Sequence, residues 1–317
     1  MKKILLISGL FFLFSINSFA QVAEPTPQPS PQRVLRPPQL RDPTYDVNPG
    51  SNPDGLALRQ MILQISVEPI YRKPTKEELN TISPSAGLRK QFSAFLKQEN
   101  TGLFKLVVDS GCAGNPKIVS AKEKCLKFTM PGAGNSYSFR VNNYRIRHLA
   151  DLTFSGNSFQ VTGVLTHGIL VNLGNVPLEN VSLQTTGVKF LSEFQPEVDF
   201  EKAEEINRVL VAGIKKEGFL YSRALFAVEN ATYVLRSIAY NGKVMRSVRG
   251  IPYNELDFDN RKDITIAFRV VRSDSDGSLT ILWKELSKKD SPKIRKKKIE
   301  QKKKVTGNKF VAENPVR

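Results

Sequence analysis

The hydrophobic pattern of the chain changes period twice. From Leu103 to Gln184 apolar residues alternate with polar or small ones. Tyr137, Phe139 and Val141 stand against Ser138 and Arg140, and Phe159, Val161 and Gly163 against Gln160 and Thr162. Successive strand side chains point to opposite faces, so a period of two predicts short strands with one buried face. Apolar runs at 149–154 and 169–173 extend the series, and Gly-Asn and Pro turns separate its members. Short runs broken by turn residues predict antiparallel pairing.

A helical period then interrupts. Asp199 has the side chain of an N-cap, Glu201, Glu204 and Glu205 follow it, and Lys215-Lys216 precede Gly218. Acids at the positive end and bases at the negative end suit the helix dipole. Phe200, Ala203, Ile206, Leu210 and Ile214 are the expected buried stripe. Strands return at 231–240 and 243–249, which flank Asn241-Gly242 as a hairpin. A second hairpin is expected from 263–273 and 278–286 around Ser275-Asp276-Gly277. On it Ile264, Ile266, Phe268 and Val270 face the same side as Leu279, Ile281 and Trp283.

Before the strands the signals are helical or mixed. Residues 56–68 fit a strand through Met61, Leu63, Ile65 and Val67, or a helix through Leu58, Ile62 and Ile65. Thr75 and Glu78 have the spacing of a capping box. Ser83-Pro84 reads as a cap with proline at the first helical position, followed by the stripe Leu88, Phe92, Phe95 and Leu96. Strand runs with segregated helices predict an α+β fold. The expected body is antiparallel and β-rich, with two or three amphipathic helices.

The ends differ from this body. Met1-Lys2-Lys3, the apolar run Ile4 to Ile16 and Ser18-Phe19-Ala20 have the three parts of a secretory signal peptide, with cleavage between Ala20 and Gln21. Thirteen apolar residues rise only about 20 Å as a helix, short of the roughly 30 Å hydrocarbon core. After cleavage no integral membrane segment is expected. Residues 25–53 hold nine of the nineteen prolines and read as a semi-rigid spacer. The division read from the sequence is therefore signal peptide 1–20, Pro-rich spacer 21–55, globular body 56–286 and Lys-rich tail 287–317.

Charge sharpens that division. The chain carries +17 over 317 residues, and residues 284–317 hold 13 Lys/Arg against 4 Asp/Glu. Lys293, Arg295, Lys296, Lys297, Lys298, Lys302, Lys303 and Lys304 form the expected polyanion-binding run. A cation cluster of this density attracts anionic polymers by charge alone. An anionic cell-surface polymer or an envelope partner is the expected target. Export argues against nucleic acid, which becomes a partner only if the leader is kept. Arg140, Tyr144, Arg145 and Arg147 would then supply a stacking surface.

Chemistry is sparse. Cys112 and Cys125 are the only cysteines, and an exported pair enclosing twelve residues is expected to form a disulfide. His148 and His167 are the only histidines, and no metal site or cofactor is expected. Asp257, Asp259 and Asp263 could offer oxygens to calcium, but read better as a polar turn. Glu193, Glu197 and Glu201 could supply paired carboxylates for glycan hydrolysis, but suit the start of the helix. The residues point to a secreted or periplasmic protein with a non-enzymatic binding or structural role. An extracytoplasmic hydrolase acting on glycan or peptide is the alternative. Intact-mass measurement of the exported protein should give a chain starting at Gln21 and lighter by the hydrogens lost in one disulfide. A mass retaining Met1 contradicts the export reading, and a fully reduced mass contradicts the pairing.

Overall fold

The register of the longest hairpin follows the alternation of its sequence. In the computed structural model, which describes residues 53–108 and 131–295, β13 (Lys262–Ser273) pairs with β14 (Leu279–Asp290). Phe268 sits opposite Trp283 and Val270 opposite Ile281. Gly277 closes the turn with φ +78°, a value open to glycine without steric penalty. A Cβ there would also stand 2.8 Å from Val108.

This hairpin lies inside a seven-stranded sheet whose neighbours are all antiparallel. Its other members are β1 (Thr101–Leu106), β6 (Thr166–Asn172), β7 (Ile214–Lys216), β8 (Phe219–Ser222) and β10 (Thr232–Ala239). The order is β1-β14-β13-β10-β6-β8-β7. A five-stranded antiparallel sheet is built from β2 (Ser136–Ser138), β3 (Asn143–Tyr144), β4 (Leu152–Ser155), β5 (Ser158–Gln160) and β9 (Ala224–Phe226).

Between the two sheets lies an aromatic core. Tyr233, Ile266, Phe268, Ile281 and Trp283 meet Tyr137, Leu152, Phe154 and Phe159. Phe104 stacks on Tyr137 with centroids 3.7 Å apart, and Phe159 meets Phe268 edge-on at 5.1 Å. Such pairs add about 0.5–1.5 kcal/mol each beyond the area they bury. On the other face of the large sheet, Ile169, Val171, Val234, Ala267 and Leu282 pack under Leu178, Val188, Leu191 and Leu210. Those residues come from the 178–191 segment and from the helix Phe200–Ala212. The body is thus α+β and β-rich, a sheet-on-sheet sandwich with a helical layer on one side.

Five other helices are short or peripheral: α1 (Pro53–Ser66), α2 (Glu68–Tyr71), α3 (Lys76–Thr81), α4 (Ala86–Gln91) and α5 (Lys189–Glu193). Phe200–Ala212 is α6. Among the described residues no helix is long and apolar enough to cross a membrane. The signal peptide with Ala20 and Gln21, Cys112, Cys125, and Lys296, Lys297, Lys298, Lys302, Lys303 and Lys304 lie outside the described residues.

Several local expectations are corrected. Residues 56–66 are helical, and α1 begins at Pro53, inside the expected spacer. Ser85, not Ser83, caps α4 by accepting from the Leu88 amide at 3.4 Å, and α4 stops at Gln91 before most of the Phe92–Leu96 stripe. Lys215 and Lys216 lie on β7, because Gly213 with φ +89° ends α6 first. Asn241-Gly242 makes no hairpin, since both edges of β10 are already taken by β6 and β13. The turn instead falls at Arg249-Gly250, both with positive φ, between β11 (Met245–Val248) and β12 (Ile251–Asn254). The strand β14 runs past residue 286 to Asp290.

A buried ionic network crosses the sandwich. Asp151, fully buried, accepts from Ser138 Oγ at 2.9 Å, Arg140 Nε at 2.8 Å and Ser237 Oγ at 2.7 Å. Ser138 belongs to the small sheet and Ser237 to the large one. Arg140 reaches on to Asp259 at 2.5 Å, which also takes Arg261 Nη1 at 2.9 Å. Burial favours the neutral form of Arg140, but Asp151 and Asp259 outweigh it and push its pKa up. Asp151→Ala would leave this buried cation short of one of its two carboxylates. The expected loss is about 3–5 kcal/mol in denaturant unfolding. Lys189→Ala breaks only the exposed pair with Glu193 and should change stability by less than about 0.5 kcal/mol. Equal effects of the two substitutions would contradict the network's role.

Candidate binding site

Where α6 lies across the start of β6, the two elements leave a cavity of about 220 Å³. Asp199 sets the start of α6 by accepting from the Glu201 and Lys202 amides at 3.1 and 3.2 Å. Ala203 is small enough for the helix to approach the sheet, and its carbonyl lies 2.8 Å from His167 Nε2. The far wall is the loop Gly163–Leu165. Leu165 has φ +45°, an unfavourable value for a bulky residue. Its carbonyl is pinned by Arg261 Nη2 at 2.7 Å and the Tyr240 amide at 2.9 Å. Strained backbone that is held this firmly tends to gather at binding sites.

His167 forms part of the cavity wall. A carbonyl can only accept, so Nε2 carries the proton and donates to Ala203. Nδ1 then accepts from the Tyr240 hydroxyl at 3.1 Å. Burial holds the His167 pKa below its ordinary value of 6.5 and raises that of Tyr240. Both groups are neutral and both are engaged. Arg223, at the crossing from β8 to β9, donates to Asn207 Oδ1 at 2.6 Å and to the Val161 carbonyl at 2.7 Å. Burial lowers its pKa, and the nearby Glu204 charge opposes that shift. Glu204 lines the cavity from the exposed side of α6.

Ile294 closes the cavity from the C-terminal segment. Residues 291–295 strap across the body by their backbone. The Asn241 amide donates to the Pro292 carbonyl at 2.8 Å and the Ile294 amide to the Asn241 carbonyl at 3.1 Å. The Arg295 amide donates to Val198 at 2.7 Å, and the Arg295 carbonyl takes the Phe200 amide at 2.9 Å. That last bond satisfies one of the orphan amides at the start of α6. Lys293 and Arg295, expected in a detached tail, are therefore anchored, while their side chains stay exposed.

The other candidate residues are occupied elsewhere. Asp259 pairs with Arg140 and Arg261, and Asp263 is held by Arg236 through bonds of 3.0 and 2.7 Å. Asp257 accepts from Asn254 at 2.6 Å. Among the described residues no group of three metal-ligating side chains is assembled. Glu193 pairs with Lys189, and Glu197 accepts from the Asp199 amide at 2.9 Å. Arg140, Tyr144 and Arg145 are buried and offer no stacking surface, whereas Arg147 reaches Gln160 on the exterior. His148, in a 3-10 turn and not on a strand, stands 3.4 Å from buried Glu255. Burial favours protonated Glu255, but His148 and Arg246 outweigh it and hold its pKa below the usual range.

No family of known sequences, no curated protein and no solved structure matches the chain. The cavity therefore has to be read from its own residues. His167 was visible as one of two histidines. Glu204 read only as an acid at the start of a helix, and Arg223, Asn207 and Tyr240 carried no signal, since each looks like an ordinary surface or strand residue until α6 folds over β6.

The pH dependence of His167 can be tested. Its pKa is lower folded than unfolded, so the unfolded state binds more protons below about pH 6.5 and stability falls as pH drops from there. His167→Gln keeps a side-chain amide donor and does not titrate. Denaturant unfolding at pH 7.5 and 5 should show a smaller acid loss in the variant than in the parent. Equal losses would remove His167 as a source of acid sensitivity.

Proposed function

We propose that the protein is an exported, non-catalytic binding protein whose body holds a basic C-terminal run for contact with anionic polymers of the cell surface. The strap at residues 291–295 carries this reading. It holds Arg295, the last described residue, beside the first turn of α6. Lys289, Lys293 and Arg295 are exposed there, with no carboxylate within 4 Å among the described residues. Exposed cations followed in sequence by a longer cationic run concentrate positive charge at this end of the chain. A binding role also fits the engaged state of the titratable groups. His167 is bonded at both nitrogens, and the buried acids Asp151, Asp259 and Asp263 face arginines. A general acid or base needs a free proton position near substrate.

The strap decides where a truncation should fall. A cut at Lys288 would remove the end of β14 and the strap with it. A chain ending at Arg295 keeps both and loses only the run that follows. On heparin resin the full chain should elute at clearly higher salt than the shortened one, with retention falling steeply as salt rises. The two should melt at the same temperature. Equal elution, or retention of the full chain that ignores salt, would show that the run is not the binding element.

A further inference from the structure

The cavity beneath α6 holds two opposite charges that the protein leaves open. Arg223 uses two of its five N–H groups, on Asn207 and Val161, and the other three have no acceptor among the described residues. Glu204 forms no ion pair there either. Glu204, Arg223 and His167 line the same cavity. Between these charges the surface is apolar, formed by Val164, Leu165, Phe200 and Ile294. Three arginines inside the body are paired instead. Arg140, Arg236 and Arg261 each meet a carboxylate within 3.0 Å.

We infer that this cavity binds a small zwitterion, an α-amino acid with an aliphatic side chain, with its carboxylate on Arg223, its ammonium on Glu204 and its side chain against Leu165 and Ile294. Three free N–H groups are enough for a bidentate carboxylate, the arrangement arginine favours. A simple anion would satisfy Arg223 but be repelled by Glu204, and a simple cation would meet the reverse. A ligand carrying both charges meets an opposite charge on each wall and a like charge on neither. The volume of about 220 Å³ lies below the roughly 300–1,000 Å³ of drug-sized pockets, so a polymer chain does not fit inside. His167 and Tyr240 supply a neutral wall that adds no third charge. This inference does not depend on the basic run.

The test is titration calorimetry on the mature full-length protein with L-leucine, 4-methylpentanoate and isoamylamine. The second ligand lacks the ammonium and the third the carboxylate, so the ligand is changed while the protein is not. Leucine should bind with a dissociation constant of about 1 mM or tighter, and each single-charge analogue at least about tenfold more weakly. Glu204→Gln, on an exposed helix position, should weaken leucine about tenfold and leave 4-methylpentanoate unchanged or improved. Arg223→Lys should weaken both carboxylates; if that variant melts early, Glu204→Gln and the analogues still decide the matter. Absence of leucine binding at about 10 mM would overturn the inference. So would equal binding of all three ligands, or leucine binding that ignores Glu204→Gln.

Discussion

The buried pairing of Arg140 with Asp151 and Asp259 is the constraint on which the rest of the body depends. Apolar packing alone would let two sheets slide across their shared core, because hydrophobic contact has no direction. The network does have direction. Asp151 takes a hydroxyl from each sheet, Ser138 from one and Ser237 from the other, and so fixes their relative register. A buried charge is tolerated only when it is met by an opposite charge and its remaining donors are filled. The cluster holds three arginines, Arg140, Arg145 and Arg261, against two aspartates. Burial accordingly lowers the pKa of Arg145 and of Arg261. Backbone carbonyls take up most of the surplus donors, though the buried Nε of Arg145 has no partner among the described residues. Arg145 turns to Tyr71 and Phe258, and Arg261 to Tyr240, Val164 and Leu165.

Those last three carbonyls connect the network to the candidate site. Val164 and Leu165 are the far wall of the cavity, and Tyr240 donates to His167 across it. The left-handed conformation of Leu165 would relax without Arg261, and the wall would move away from α6. The cavity is therefore shaped from behind by charges that a ligand never touches. The same demand for opposite charges explains why the aspartates that looked available for a cation are not. Asp259 and Asp263 are already the counter-ions of arginines.

What could be read in the sequence was what depends on neighbours along the chain. The β13–β14 hairpin, the Asp199 cap and the Thr75–Glu78 capping box follow from residues within a few positions of one another, and each stands as read. Errors arose where a distant partner overrode a local signal. Asn241-Gly242 has the composition of a hairpin turn, but β6 and β13 occupy both edges of the strand before it. Arg249-Gly250 has a weaker composition and makes the turn because its flanking segments are free to pair. The network lay beyond reading for the same reason. Arg140 and Asp259 are separated by 119 positions, and no spacing rule connects them. Arg140 and Arg145 also alternate with aromatics, which made them resemble a nucleic-acid surface when they are in fact the interior.

The C-terminal segment shows how one stretch can be basic and still be held by the body. Residues 291–295 have no hydrophobic period; Ile294 lines the cavity and Ser291 Oγ donates to the Ala239 carbonyl. The rest of the anchoring is mostly backbone: Asn241 exchanges hydrogen bonds with Pro292 and Ile294, and Val198 and Phe200 close on Arg295. Backbone bonds do not depend on side-chain chemistry, so composition gives no hint of them. They also leave the side chains of Lys293 and Arg295 free to face solvent. Anchoring and charge are thus carried by different atoms of the same residues. The body anchors Lys293 and Arg295 without pairing either with a carboxylate, whereas Arg140, Arg236 and Arg261 in the interior each meet one.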